Sequence, residues 1–72
     1  EKIKLIKEEF PWGRVIDIHC IDNYQIVEFE RNFTNKLLWH GYIDYKDSNK
    51  SFESLNSALI GCMNIRQQHE NN

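Results

Sequence analysis

The hydrophobic positions change period along the chain, and those changes mark its elements. Ile3, Ile6 and Phe10 recur at helical spacing with Leu5 beside them. Pro11 closes that run, because the residue before a proline is pushed out of helical geometry. The spacing predicts a short helix over 2–10, with a strand as the rival reading, since Ile3 and Leu5 also alternate with lysines. From Arg14 to Ile21 the chain is β-branched and largely alternating, which predicts a strand. Asp22-Asn23 suits a two-residue hairpin turn, since both residue types tolerate positive φ. Residues 24–31 read as the returning strand, Asn32 to Lys36 as a polar loop, and 37–46 as a third strand. Asp47 to Ser51 are loop formers, with Ser51 the expected helix N-cap and Glu53 in the first turn. Phe52, Leu55, Ala58, Leu59, Cys62 and Ile65 then form the clearest helical stripe in the chain.

These elements predict an α+β fold in the order α-β-β-β-α. It is a three-stranded antiparallel β-meander with a short N-terminal helix and a longer C-terminal helix packed on one face. Residues 1–66 form one small domain, and 67–72 a polar, frayed tail. The hairpin turn fixes the pairs Ile21 with Tyr24, His19 with Ile26 and Asp17 with Glu28. Alternation then gathers Ile16, Ile18, Cys20, Val27 and Phe29 on the face expected to meet the helices. Leu37, Trp39, Ile43 and Tyr45 join them, and Gly41 marks a bulge or a close approach by a helix. The opposite face is expected to be open. It collects Val15, Asp17, His19, Ile21, Tyr24, Ile26, Glu28 and Glu30, with Leu38, His40, Tyr42 and Asp44 from the third strand.

Composition narrows the function classes. Seventy-two residues with 40% apolar positions support one core and leave little room for a deep cleft. No apolar run approaches the roughly 18 residues of a membrane span, and no leader resembles a secretion signal. Two distant cysteines, Cys20 and Cys62, read as buried free thiols of a reducing, cytoplasmic compartment rather than as a disulfide framework. The abundance of Ile and Asn, whose codons are AT-rich, associates the chain with a bacterium, a phage or a mobile element.

The chemistry-bearing residues of the open face are Asp17, His19, Glu28, His40 and Asp44. Such a set has zinc-ligand types but no recognised ligand spacing, so histidines paired with nearby carboxylates are the favoured reading and no metal or cofactor is expected. Asp17 opposite Glu28 is a like-charge pair that requires something positive nearby. No nucleophile motif, phosphate loop or dinucleotide fingerprint is present, which argues against an enzyme. Trp12 is expected to staple the first helix to the sheet.

The α-β-β-β-α order resembles that of double-stranded RNA-binding domains, in element order alone. That resemblance implies a lysine cluster at the start of the last helix, where this chain has only Lys46 and Lys50 ahead of Ser51-Phe52-Glu53. The formal net charge of -2 also argues against phosphate binding. The expected function is therefore a small non-enzymatic protein-binding module, an accessory or inhibitor protein. It would dock a basic partner through Asp17, His19, Tyr24, Ile26, Glu28, His40, Tyr42 and Asp44. Self-association through a sheet edge or the open face is a second expected partnership, and a nucleic-acid-binding domain is the alternative function.

Overall fold

The computed structural model describes residues 10–70. Four strands form one antiparallel sheet in the order β1-β2-β3-β4, where β1 is Gly13–Ile21, β2 Tyr24–Arg31, β3 Leu37–Ile43 and β4 Lys46–Phe52. One helix follows, α1, over Leu55–Glu70. The expected three-stranded, two-helix arrangement is thus corrected. The fourth strand occupies the segment read as a loop and helix start, and the helix expected over 2–10 falls on residues outside those described, apart from a non-helical Phe10. With a fourth strand ahead of the helix, the element order no longer matches that of double-stranded RNA-binding domains. α1 also runs past Gln67, where the polar tail was expected to begin.

β4 escaped the pattern because Lys-Asp-Ser-Asn-Lys-Ser has neither apolar alternation nor β-branched residues. Its turn is equally unmarked: Asp44 and Tyr45 both adopt positive φ, 50° and 67°, without the usual glycine. The strand is held by its polar side chains. Three residues, Ser48 to Lys50, bulge opposite Gly41, between the pairs His40–Ser51 and Tyr42–Asp47. Ser48 Oγ donates to Gly41 O at 2.6 Å, and Asp47 Oδ1 accepts the Asn49 N–H at 2.6 Å, with Asn49 at φ 60°. The helix cap moves accordingly from Ser51 to Ser54, whose Oγ accepts the Ser57 N–H at 3.1 Å. Glu53 sits before the cap and pairs with Lys36 at 2.8 Å, and that hydrogen bond together with the lysine charge holds its carboxyl below the usual range.

The first hairpin has the expected register: Ile21 faces Tyr24, His19 faces Ile26 and Asp17 faces Glu28. Asp22 turns the chain at φ 53°. The second pairing differs by one residue. Ile26 faces Gly41 and Val27 faces His40, so Leu37, Trp39, Gly41 and Ile43 share the face of Tyr24, Ile26 and Glu28. A one-residue slip carries every side chain of a strand to the other face. A bulge at Ile16 makes the same exchange in β1, moving Val15 opposite Phe29.

The helix therefore lies on the face expected to be open. Ala58 and Cys62 of α1 pack on Ile26, ringed by Tyr24, Trp39, Ile43, Phe52, Leu55 and Leu59. The other face has its own core of Phe10, Val27, Phe29 and Leu38, flanked by Val15, Ile18 and Tyr42. β2 is apolar on both faces because both are covered, the pattern of a central strand. Trp12 stacks on His40 at 4.5 Å and meets Phe10 edge to face at 5.1 Å.

Candidate functional site

The eight residues expected to form one surface divide into four groups. Tyr24 and Ile26 go under the helix: Ile26 is fully buried, and the Arg66 guanidinium lies 6.0 Å from the Tyr24 ring centre. His40 and Tyr42 point to the opposite face with Val27 and Phe29. Asp44 sits in the β3–β4 turn, where it meets Arg66 at 3.8 Å. The remaining three, Asp17, His19 and Glu28, stay together on the helix side of β1 and β2.

That trio follows directly from the ladder. Asp17 and His19 are two apart on β1 and so share a face, and Glu28 stands opposite Asp17. His19 Nε2 lies 3.0 Å from Glu28 Oε1. One donor atom from each of the three residues lies within 4.8 Å of the others. Asp17 is exposed, and His19 and Glu28 are partly so, with 29% and 21% of their side chains accessible. Asp17 Oδ1 accepts the Ile18 N–H at 2.8 Å. Glu30 continues the strip on β2, with Arg14 at 3.7 Å as its ion-pair partner. The helix packs mainly on β3, with β2 and β4 beside it, so among the described residues no helix covers the β1 flank of this face.

His40 is the second constellation, and sequence reasoning placed it on the wrong face. Its imidazole is buried among Phe10, Trp12, Phe29 and Tyr42. Nε2 donates to Asp47 Oδ1 at 2.6 Å, and Nδ1 meets Ser51 Oγ at 2.9 Å. The tautomer with its proton on Nε2 satisfies both contacts, since Nδ1 then accepts the Ser51 hydroxyl proton. Asp47 and Ser51 flank the β4 bulge, so one ring ties both of its ends to β3. A Ser-His-Asp chain of this kind has the order of a nucleophilic relay. Here the imidazole is covered by Trp12, and the neighbouring cleft opens elsewhere. That cleft, of about 610 Å³, lies between the β4 bulge and the end of α1, with Lys46, Asp47, Asn49, Ile65 and Arg66 in its wall and neither His40 nor Ser51. His40 is a clamp in this arrangement.

Neither protein-family models nor curated proteins nor solved structures match this chain.

Both cysteines are free. Cys62 is buried in the helix core as expected, and burial pushes its thiol up. Cys20 is exposed, contrary to the expectation of two core thiols, because it lies on the edge strand. Among the described residues, no helix is long and apolar enough to cross a membrane.

Proposed function

We propose that the chain is a non-enzymatic protein-binding module that docks a basic partner along the β1 flank of its sheet. The observation that carries this reading is the acidic pair Asp17 and Glu28, with His19 beside them, over which no described helix lies and to which no Lys or Arg is paired among the described residues. Exposed Ile16 and Ile21 on β1 border the strip with apolar area, the combination of a partner surface rather than of a merely solvated face. Tyr24, Ile26, His40, Tyr42 and Asp44 leave the docking set, and Ile21 enters it. A basic protein surface, including one that otherwise holds nucleic acid, supplies the missing positive charge.

The test is fluorescence anisotropy of a labelled Lys/Arg-rich peptide, in EDTA, at low and at physiological salt. Binding that weakens with salt, and weakens by roughly tenfold more in Asp17→Lys/Glu28→Lys, is the expected result. Duplex RNA bound in preference to the peptide, with the double variant binding it more tightly, would overturn the reading in favour of nucleic-acid recognition.

A further inference from the structure

Asp17, His19 and Glu28 offer one nitrogen and carboxylate oxygens from two strands, with the three donor atoms mutually within 4.8 Å. We infer that this trio is a binding site for a divalent transition metal of the zinc class. The inference does not rest on the docking reading, since it concerns the chain alone.

The geometry is compatible with such an ion. Metal–donor distances of about 2.0–2.2 Å place neighbouring donors of a tetrahedral site roughly 3.3–3.6 Å apart. His19 Nε2 and Glu28 Oε1 stand at 3.0 Å, a few tenths of an ångström closer. The wider separations close by rotation of the Asp17 and Glu28 side chains, which reach the partly open side of the sheet. The backbone needs no change, because register places all three residues on one face.

The electrostatics point the same way. Two carboxylates directly opposed on neighbouring strands repel each other. Arg14, Lys36 and Arg66 are paired with Glu30, Glu53 and Asp44, and none of them reaches Asp17 or Glu28. A dication removes the repulsion and uses the imidazole nitrogen that an all-oxygen calcium or magnesium site would not need. Three protein ligands leave at least one coordination position open to water or to an incoming donor.

The experiment uses the untagged 72-residue chain carrying Cys20→Ser, which removes the exposed thiol on the other face as a competing ligand. Zinc and manganese chloride are titrated by calorimetry, with thermal unfolding followed in parallel. One ion per chain is expected, with a thermal midpoint that rises with metal concentration, as for any ligand that binds only the folded state. His19→Ala and Glu28→Gln should each weaken binding at least tenfold, while Glu53→Gln should leave it unchanged. Glu28→Gln is nearly isosteric, and an unshifted metal-free midpoint shows that it folds. Failure of either metal to bind at millimolar concentration overturns the inference. So does binding that His19→Ala and Glu28→Gln leave unaltered. Neither result touches the peptide assay in EDTA, so the docking proposal stands or falls separately.

Discussion

Gly41→Ala probes how α1 is seated on the sheet. A Cβ built at Gly41 stands 2.3 Å from Cys62 Sγ, 3.4 Å from Ser48 Oγ and 3.8 Å from Ile26 Cδ1. The first distance is more than an ångström inside ordinary contact. The sulfur belongs to a fully buried residue of the helix, so it yields only if the helix lifts or the side chain leaves its rotamer. Adding a methyl to a packed core costs about 1–3 kcal/mol. Replacing glycine returns about 0.4–1 kcal/mol through the unfolded chain, since Gly41 has no positive φ. The net loss is about 1–2 kcal/mol, and each kcal/mol lowers the midpoint of a domain this size by roughly 4–8 °C.

A double-mutant cycle with Cys62→Ala makes the test specific. Cys62→Ala alone leaves a small cavity and costs about 1 kcal/mol. In Gly41→Ala/Cys62→Ala the new methyl occupies the space of the lost sulfur. The double variant should then be more stable than the sum of the two losses by about 1 kcal/mol or more. Urea unfolding followed by tryptophan fluorescence reads all four proteins. A neutral Gly41→Ala, or two losses that add within about 0.5 kcal/mol, would refute the seating of Cys62 against Gly41.

Three further outcomes are expected. His40→Phe keeps a ring in the aromatic cage but loses the bonds to Asp47 and Ser51; it should cost about 1–3 kcal/mol, and amide exchange should quicken in β4 before β1. Ser54→Ala should cost about 1 kcal/mol and reduce helical circular dichroism at the midpoint of unfolding, because it removes the cap of α1; an unaffected Ser54→Ala would move the helix start elsewhere. The neutral, buried Cys62 thiol has its pKa raised in the fold, so its contribution is intact below the unfolded thiol's pKa of about 8.5 and is lost as pH climbs beyond it. Unfolding free energy should therefore fall more steeply above that pH in the native sequence than in Cys62→Ala, and parallel pH curves would disprove the linkage.

The first hairpin was legible because turn chemistry and alternation both act over a few residues. Asp22-Asn23 defines the loop length, loop length defines register, and register defines the three pairs that include Asp17 with Glu28. The helical stripe from Leu55 to Cys62 was legible for the same local reason. The second pairing was not. The Asn32–Lys36 loop leaves its register to hydrogen bonds such as Arg31 N–H to Lys36 O, at 2.9 Å, which composition does not reveal. β3 is apolar at both Leu38 and Trp39, so either parity buries hydrophobic area. β4 was invisible because its backbone is stabilised by Ser48 and Asp47 side chains and by His40, and polar residues that bond backbone groups read as loop in any sequence pattern.

The mixed character of the supposed open face has a geometric cause. An α-helix with its side chains is about 10–12 Å wide, and strands stand about 4.8 Å apart. One helix covers two or three strands, so a fourth strand leaves a flank bare. Here α1 sits over β3 and its neighbours, and β1 is the strand left at the margin. The same face must then be apolar at Tyr24, Ile26, Trp39 and Ile43, beneath the helix, and polar at Asp17, His19 and Glu28, beyond it. Read along one strand, that division looks like a surface of alternating chemistry. Read across the sheet, it is a buried core beside a polar margin. A helix long enough to satisfy the core but too narrow to reach β1 leaves the three ligand-type side chains adjacent and accessible. The repulsion between Asp17 and Glu28 is tolerable at this margin because water reaches both groups, and the proposed cation or basic partner would relieve it.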